Sequence, residues 1–312
     1  MPGHIPCYFD CTTKDLGDIT IPDISKLDNG TGYVTYLTNE ELGAHSDKPI
    51  ILMVDEYGKA NPAVKNALLR LMLERKIGSY ALHPDSIIFA TTNLGAEGVG
   101  DVFPAHACNR VVIAELRNPT AMEWVEQYAV PHGLHSSIMA TAIHFPMMFD
   151  SFRDVEDPNM NPYIMHPKAK RRSFVTARSM ARASSVMYAT EKLPSHVRMH
   201  ALCGTVGEAA AAEIMTIDRL ESQIPVWDRI VADPTGAPIP DSAVAQCIVV
   251  LRAVKMVTHQ TMDAWVVYMM RLGKETQALF ARSMLKSSRS AEATVNTAFK
   301  EWLAANSYLF GG

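Results

Sequence analysis

The chain has 312 residues, 48% hydrophobic and 20% charged, enough apolar material for one large domain or two ordinary ones and too much for a disordered chain. A formal net charge of −4 and a pI near 6.3 exclude the broad basic footprint of a nucleic-acid binder, with Lys168–Arg172 the one local exception. Five cysteines (Cys7, Cys11, Cys108, Cys203, Cys247) lack paired spacing, which points to reduced thiols and away from a zinc site.

The opening Met-Pro-Gly-His has neither the basic start nor the apolar run of a secretory signal. No stretch reaches the roughly 18 uncharged apolar residues of a membrane helix. The expected compartment is therefore cytoplasmic, with no membrane partner.

Along the chain, Pro49–Val54 is a nearly continuous apolar run closed by Asp55-Glu56, as a strand buried on both faces of a parallel sheet requires. Asn61-Pro62 supplies a cap and a first-turn proline. The helix it opens carries Val64, Leu68, Leu71 and Met72 at helical spacing and is expected to stop at Gly78. Ser86–Thr92, ending at Asn93, predicts a second buried strand, and Val111–Leu116 a third. Thr120-Ala-Met-Glu123 is a capping box for a helix ending near Pro131. This alternation predicts an α/β domain with a largely parallel sheet over 1–148. The proline-rich stretch 149–172 predicts a linker. Ala-, Met- and Leu-rich segments (197–220, 242–271 and 275–305) predict an all-helical remainder in two parts, 173–240 and 241–312.

Open α/β sheets place their ligands at the carboxyl ends of strands. Asp55 and Glu56 stand at such an end, where one carboxylate can hold magnesium and the next can activate water. Taken alone, the pair reads equally well as two solvated carboxylates in a turn. Asn93 stands at the end of the next strand, where an amide can orient water or simply satisfy a turn. Arg110, after Asn109, and Arg178, in Phe174–Arg182, are each ordinary surface charges when taken singly.

Their order and the text between them resemble the MoxR-like branch of the AAA+ ATPases. Asp55-Glu56-Tyr-Gly-Lys-Ala-Asn61-Pro62 is similar to that branch's Asp-Glu-x-x-x-Ala-x-Pro stretch. Ala67–Tyr80 resembles its helix and following hairpin, and Ala90-Thr-Thr-Asn93 its sensor 1 strand. Asp10–Gly17 resembles the segment after its second strand, and Gly204–Glu213 a helix of its lid. The resemblance covers roughly residues 5–235. It implies a P-loop-type core followed by a helical lid, with ATP and Mg²⁺ as ligands. It implies Asp55 as the magnesium ligand, Glu56 as catalytic base, Asn93 as the residue orienting water, Arg110 as a finger acting in the adjacent subunit, and Arg178 as a nucleotide sensor. It also implies an ATP-driven remodeller of a protein substrate or adaptor, working as a homo-oligomeric ring.

The phosphate-binding pattern Gly-x-x-x-x-Gly-Lys-[Ser/Thr] is absent: Gly58-Lys59 precedes Ala60, and Gly273-Lys274 precedes Glu275. The resemblance implies that this loop and its strand lie upstream of Met1, which would leave the strand ending at Asp55 short of a partner and the chain alone inactive. A non-hydrolysing assembly subunit that lends Arg110 to a neighbour stays open as the alternative. His132, His135 and His144 do not have the spacing of a helical zinc motif, and the 18 methionines read as core filling.

Overall fold

The structure, a computed structural model, describes residues 3–24, 34–93 and 111–310. It parts into two compact units, Met1–Glu115 and Leu116–Gly312. The first is α/β. Strands β1 (Ile5–Asp10), β4 (Ile50–Asp55) and β7 (Ile87–Ala90) form a parallel sheet in the order β1-β4-β7. Strands β2 (Thr20–Asp23) and β3 (Thr35–Thr38) form a separate antiparallel hairpin.

In β4 the residues alternate: Ile50, Leu52 and Val54 are buried, while Ile51, Met53 and Asp55 are half-buried. The buried set packs with Phe9 of β1 and with Val64, Leu68 and Leu71 of α1 (Pro62–Glu74). The other face is far less covered, with Tyr8 52% and Phe89 45% exposed. The strand ending at Asp55 is central and paired on both sides, in register Asp10↔Asp55 and Val54↔Ala90. It therefore has no missing partner, and among the described residues the edge strands of the sheet are β1 and β7.

Helix α1 starts as the cap predicts, with the Val64 amide donating to Asn61 Oδ1 at 2.9 Å. It ends before Gly78, because Arg75 takes a left-handed conformation (φ 57). The Arg75 guanidinium donates to the carbonyls of His83, Pro84 and Ser86, which offsets the cost of a positive φ in a residue with a Cβ. Gly78 (φ 54) instead turns a short hairpin of β5 (Lys76–Ile77) and β6 (Tyr80–Ala81). Val111–Leu116 is not a strand: it has no regular structure, with Val112 98% and Leu116 91% exposed. Among the described residues no strand pairs with it, and an unpaired strand does not hold its shape in water.

The second unit is helical. The Thr120 capping box forms as predicted (Glu123 N–H to Thr120 Oγ1 3.2 Å, Thr120 N–H to Glu123 Oε2 2.8 Å) and opens α2 (Ala121–Trp124). A π-helical turn, Val125–Ala129, follows. Residues 121–149 pack into the same core as the later helices, so they build the helical unit and not, as the sequence pattern predicts, the sheet domain. The 149–172 stretch is organised by Arg171, whose guanidinium donates to the carbonyls of Asn161, Ile164 and Pro158. This residue of the basic cluster is thus a structural clamp.

Beyond it lie α3 (Ser136–His144), α4 (Ala177–Ala189), α5 (Ser195–Val206), α6 (Glu208–Arg219), α7 (Trp227–Ala232) and α8 (Ala243–Met256). They are followed by α9 (Met262–Met269), α10 (Lys274–Lys286), α11 (Ser290–Val295) and α12 (Thr297–Ala305). The break between α5 and α6 is Gly207 (φ 88), where a Cβ would lie 2.7 Å from the Ser173 carbonyl oxygen. Aromatic rings run through this core: Trp265 lies 5.1 Å from Phe280, which lies 5.8 Å from Phe299. Among the described residues no helix is long and apolar enough to cross a membrane.

Candidate functional site

The carboxyl end of the parallel sheet gathers the side chains that carry chemistry in the first unit. The β4 pleat turns Asp55 to the less covered face, where Tyr8 of β1 sits in register with Met53. The Tyr8 hydroxyl donates to Asp55 Oδ2 at 2.8 Å. Asp55 Oδ1 accepts from the Thr91 hydroxyl and from the Glu56 amide at 3.1 Å. Thr91 is placed by the ladder just beyond β7, its amide donating to the Val54 carbonyl and its carbonyl accepting from the Tyr57 amide, both at 2.9 Å.

These donors hold the Asp55 carboxyl below the usual carboxylate range, the Thr91 hydroxyl most and the Tyr8 hydroxyl next, while burial opposes them. Asp55 therefore stays ionised at neutral pH, with its orientation set from two neighbouring strands. Asp10, level with Asp55 in the sheet, accepts from the Thr12 amide at 2.9 Å and hydroxyl at 2.8 Å.

Glu56 takes a left-handed conformation (φ 53) at the sharp turn leaving β4. Its carboxylate pairs with Lys59 at 2.9 Å. A non-glycine residue held at positive φ carries strain that function often exploits.

The structure thus brings Asp55 and Glu56 together at one strand end. Asn93 lies two residues beyond Thr91 and is exposed; the side chain of that strand that reaches Asp55 is Thr91. Arg178 is an exposed residue in the first turn of α4, whose cap is Thr176. Arg110 lies outside the described residues. Sequence reasoning passes over Tyr8 and Thr91. Only the strand register shows that Tyr8 stands beside β4, and in the sequence Thr91 is one more residue of a strand-like run.

The oxygen donors fit Mg²⁺, a hard cation that takes carboxylate and water ligands, with Asp55 the residue that would hold it. The phosphates of ATP have no cradle in this sequence, because a glycine-rich loop of backbone amides is missing. Asp55 and Glu56 therefore do not by themselves position a nucleotide.

A second cluster lies in the helical unit. Ligand atoms of His135, Asp218 and Glu221 all fall within 4.8 Å of one another. Arg198 already pairs with Asp218 Oδ2 at 2.6 Å, Ser137 donates to Asp218 Oδ1, and Ser136 donates to Glu221, both at 3.1 Å. The Ser137 amide donates to His135 Nδ1 at 3.2 Å. Burial holds His135 neutral, with its pKa lowered to about 4, and pushes Glu221 up. With Arg198 in place, these groups read as a partly buried network joining α3, α5 and α6.

No protein-family model matches the chain, and no curated protein matches it.

Proposed function

We propose that this chain is the catalytic-carboxylate and lid portion of an AAA+ ATPase of the MoxR-like kind, an ATP-driven remodeller of a protein partner that works as a ring. What supports the reading is one arrangement. Asp55 ends the central strand of a parallel sheet, accepts a hydrogen bond from the Thr91 hydroxyl just beyond the neighbouring strand, and is followed at once by Glu56 on a turn at positive φ.

In this reading Asp55 holds Mg²⁺ and Glu56 is the base that takes the proton of attacking water. Asn93 orients that water, and Arg178 senses nucleotide from the helical unit. Arg110 meets charge in the adjacent subunit. Before it can act, Glu56 must leave Lys59. The reading requires a phosphate-binding loop, and the Gly-x-x-x-x-Gly-Lys-[Ser/Thr] pattern does not occur in the sequence.

The reading is tested in two stages. The chain by itself should bind MgATP no tighter than about millimolar, for want of a loop, and micromolar binding by calorimetry would contradict that. In an assembly that hydrolyses ATP, Glu56→Gln should lower turnover on the order of 10²-fold while leaving nucleotide binding in place. Unchanged turnover would remove Glu56 from the mechanism.

A further inference from the structure

Six lysines and arginines stand between Pro158 and Thr190 (Lys168, Lys170, Arg171, Arg172, Arg178 and Arg182) with no aspartate or glutamate among them, in a chain of formal net charge −4. Arg171 is turned inward, as the clamp on three carbonyls. The other five are exposed. None of the five makes an ion pair or a side-chain hydrogen bond with another described residue. In the same unit Arg117, Arg198, Arg282 and Lys286 are all paired with carboxylates. Cations left unpaired in one place carry a field that a partner of opposite charge can use.

The backbone beneath them is held. His166, 5% exposed, accepts from the Lys168 amide at 3.2 Å and meets the Val155 carbonyl at 2.9 Å through its other ring nitrogen. The Val175 amide donates to the Tyr163 carbonyl at 2.7 Å. The Ser179 hydroxyl donates to the Phe174 carbonyl at 3.0 Å, which ties the segment to the first turn of α4. Lys168, Lys170 and Arg172 therefore stand on a fixed base, and less ordering entropy is lost when they are engaged. Arg178 and Arg182 carry the same sign along one face of α4, about one turn apart. Glu156 and Asp157, on the stretch that Arg171 grips, and Glu208, which follows Gly207 beside Ser173, stay out of ion pairs with all five.

We propose that Lys168, Lys170 and Arg172 form the docking surface for an acidic segment of a protein partner, rich in aspartate or glutamate. The forked Arg172 guanidinium suits a carboxylate gripped through two bonds. Two observations favour a short acidic peptide over nucleic acid. A nucleic acid strand would run past the patch onto a chain of net negative charge. It would also find no free ring in this stretch to stack on: Tyr163 is buried, Phe174 is half-buried, and Tyr188 already has Lys255 over its ring and His135 against its edge. The inference rests on the protein-remodelling reading for the class of its partner and adds that partner's charge.

The probe is a short fluorescein-labelled peptide of alternating glutamate and glycine, titrated with the full 312-residue chain without nucleotide and read by anisotropy. It should bind saturably at low salt. Raising ionic strength from about 0.01 M to about 0.1 M, which shortens the Debye length from about 30 Å to about 10 Å, should weaken it several-fold. Lys168→Gln with Lys170→Gln and Arg172→Gln should weaken it at least about fivefold, with circular dichroism unchanged as expected for exposed positions. Lys48→Gln with Lys76→Gln and Lys300→Gln removes the same charge from exposed sites elsewhere and should leave binding within about twofold. Absence of binding, equal loss in the two triple variants, or equal binding of a lysine–glycine peptide overturns the proposal. Tighter binding of an oligothymidylate of the same charge overturns it too, and marks a nucleic-acid surface instead. No substitution touches Asp55, Glu56, Asn93, Arg110 or Arg178, and no nucleotide is present. The titration can therefore fail while Glu56 proves catalytic, and succeed while Glu56 proves inert.

Discussion

The two units bury their apolar residues to very different degrees. In the helical unit Trp265, Tyr268, Phe280 and Phe299 are completely buried, linked ring to ring. In the sheet unit one face of β4 is packed by α1, while the other leaves Tyr8, Ile87 and Phe89 substantially exposed. Parallel sheets are usually covered on both faces. Asp55 and Glu56 stand on the less covered unit, and the helical unit ties Arg198, Asp218, Ser137 and His135 together in a partly buried network. Solvent-open strand ends suit ligand exchange, and a network that joins several helices suits rigidity.

The largest test of this contrast is core truncation. Phe280→Ala removes a fully buried ring between Trp265 and Phe299 and should cost about 3–5 kcal/mol. Phe89→Ala, at a residue 45% exposed, should cost less than about 1 kcal/mol. Urea denaturation of the full chain, followed by circular dichroism, measures both. If Phe89→Ala proves as costly as Phe280→Ala, the outer sheet face is covered in solution and the contrast fails.

The next test is pH. Burial lowers the pKa of His135 from 6.5 to about 4. Between those values the unfolded chain binds a proton that the folded chain refuses, so stability rises with pH across this window. Acidifying from about pH 6.5 to about pH 4 should therefore destabilise the fold, by at most about 3 kcal/mol from this group. Glu221 works the other way: burial raises its pKa, so the folded form takes up its proton first and recovers part of the loss. In His135→Asn the acid-side decline in the urea midpoint should be shallower than in the unaltered chain. A decline of the same slope would mean that His135 is solvated.

Where local chemistry decides, the fold is readable from the sequence. Asn61-Pro62 caps and starts α1, the Thr120–Glu123 box opens α2, and the apolar run before Asp55 is a strand of a parallel sheet. The failures come from contacts distant in sequence. α1 stops at Glu74 because Arg75 finds carbonyls at 83–86, which no helical spacing announces. Val111–Leu116 has the composition of a strand and no partner among the described residues to make it one. At the site, Asp55 and Glu56 are legible from the run they terminate. The hydroxyls that hold Asp55 are not, because Tyr8 is 47 residues away and only the parallel register brings it alongside.

The smallest effect belongs to that pair of hydroxyls, and it tests whether the open site is organised or merely exposed. The Thr91 hydroxyl bond lowers the Asp55 pKa most and the Tyr8 bond comes second. Thr91→Val should therefore move the Asp55 carboxyl up further than Tyr8→Phe does, both read from the carboxyl carbon in a ¹³C titration. The sign fixes the consequence for folding. A carboxyl depressed in the fold stabilises it above the unfolded pKa and loses that contribution as pH falls through the folded value, so both variants should lose a little stability at neutral pH and none at strongly acid pH. If Tyr8→Phe leaves the Asp55 titration untouched, the phenol is only a neighbour on an exposed face. Asp55 would then owe its orientation to Thr91 and the turn at Glu56. If Tyr8→Phe moves it by more than Thr91→Val, β1 rather than the segment after β7 governs the carboxylate, and the orientation of Asp55 is set chiefly by the phenol.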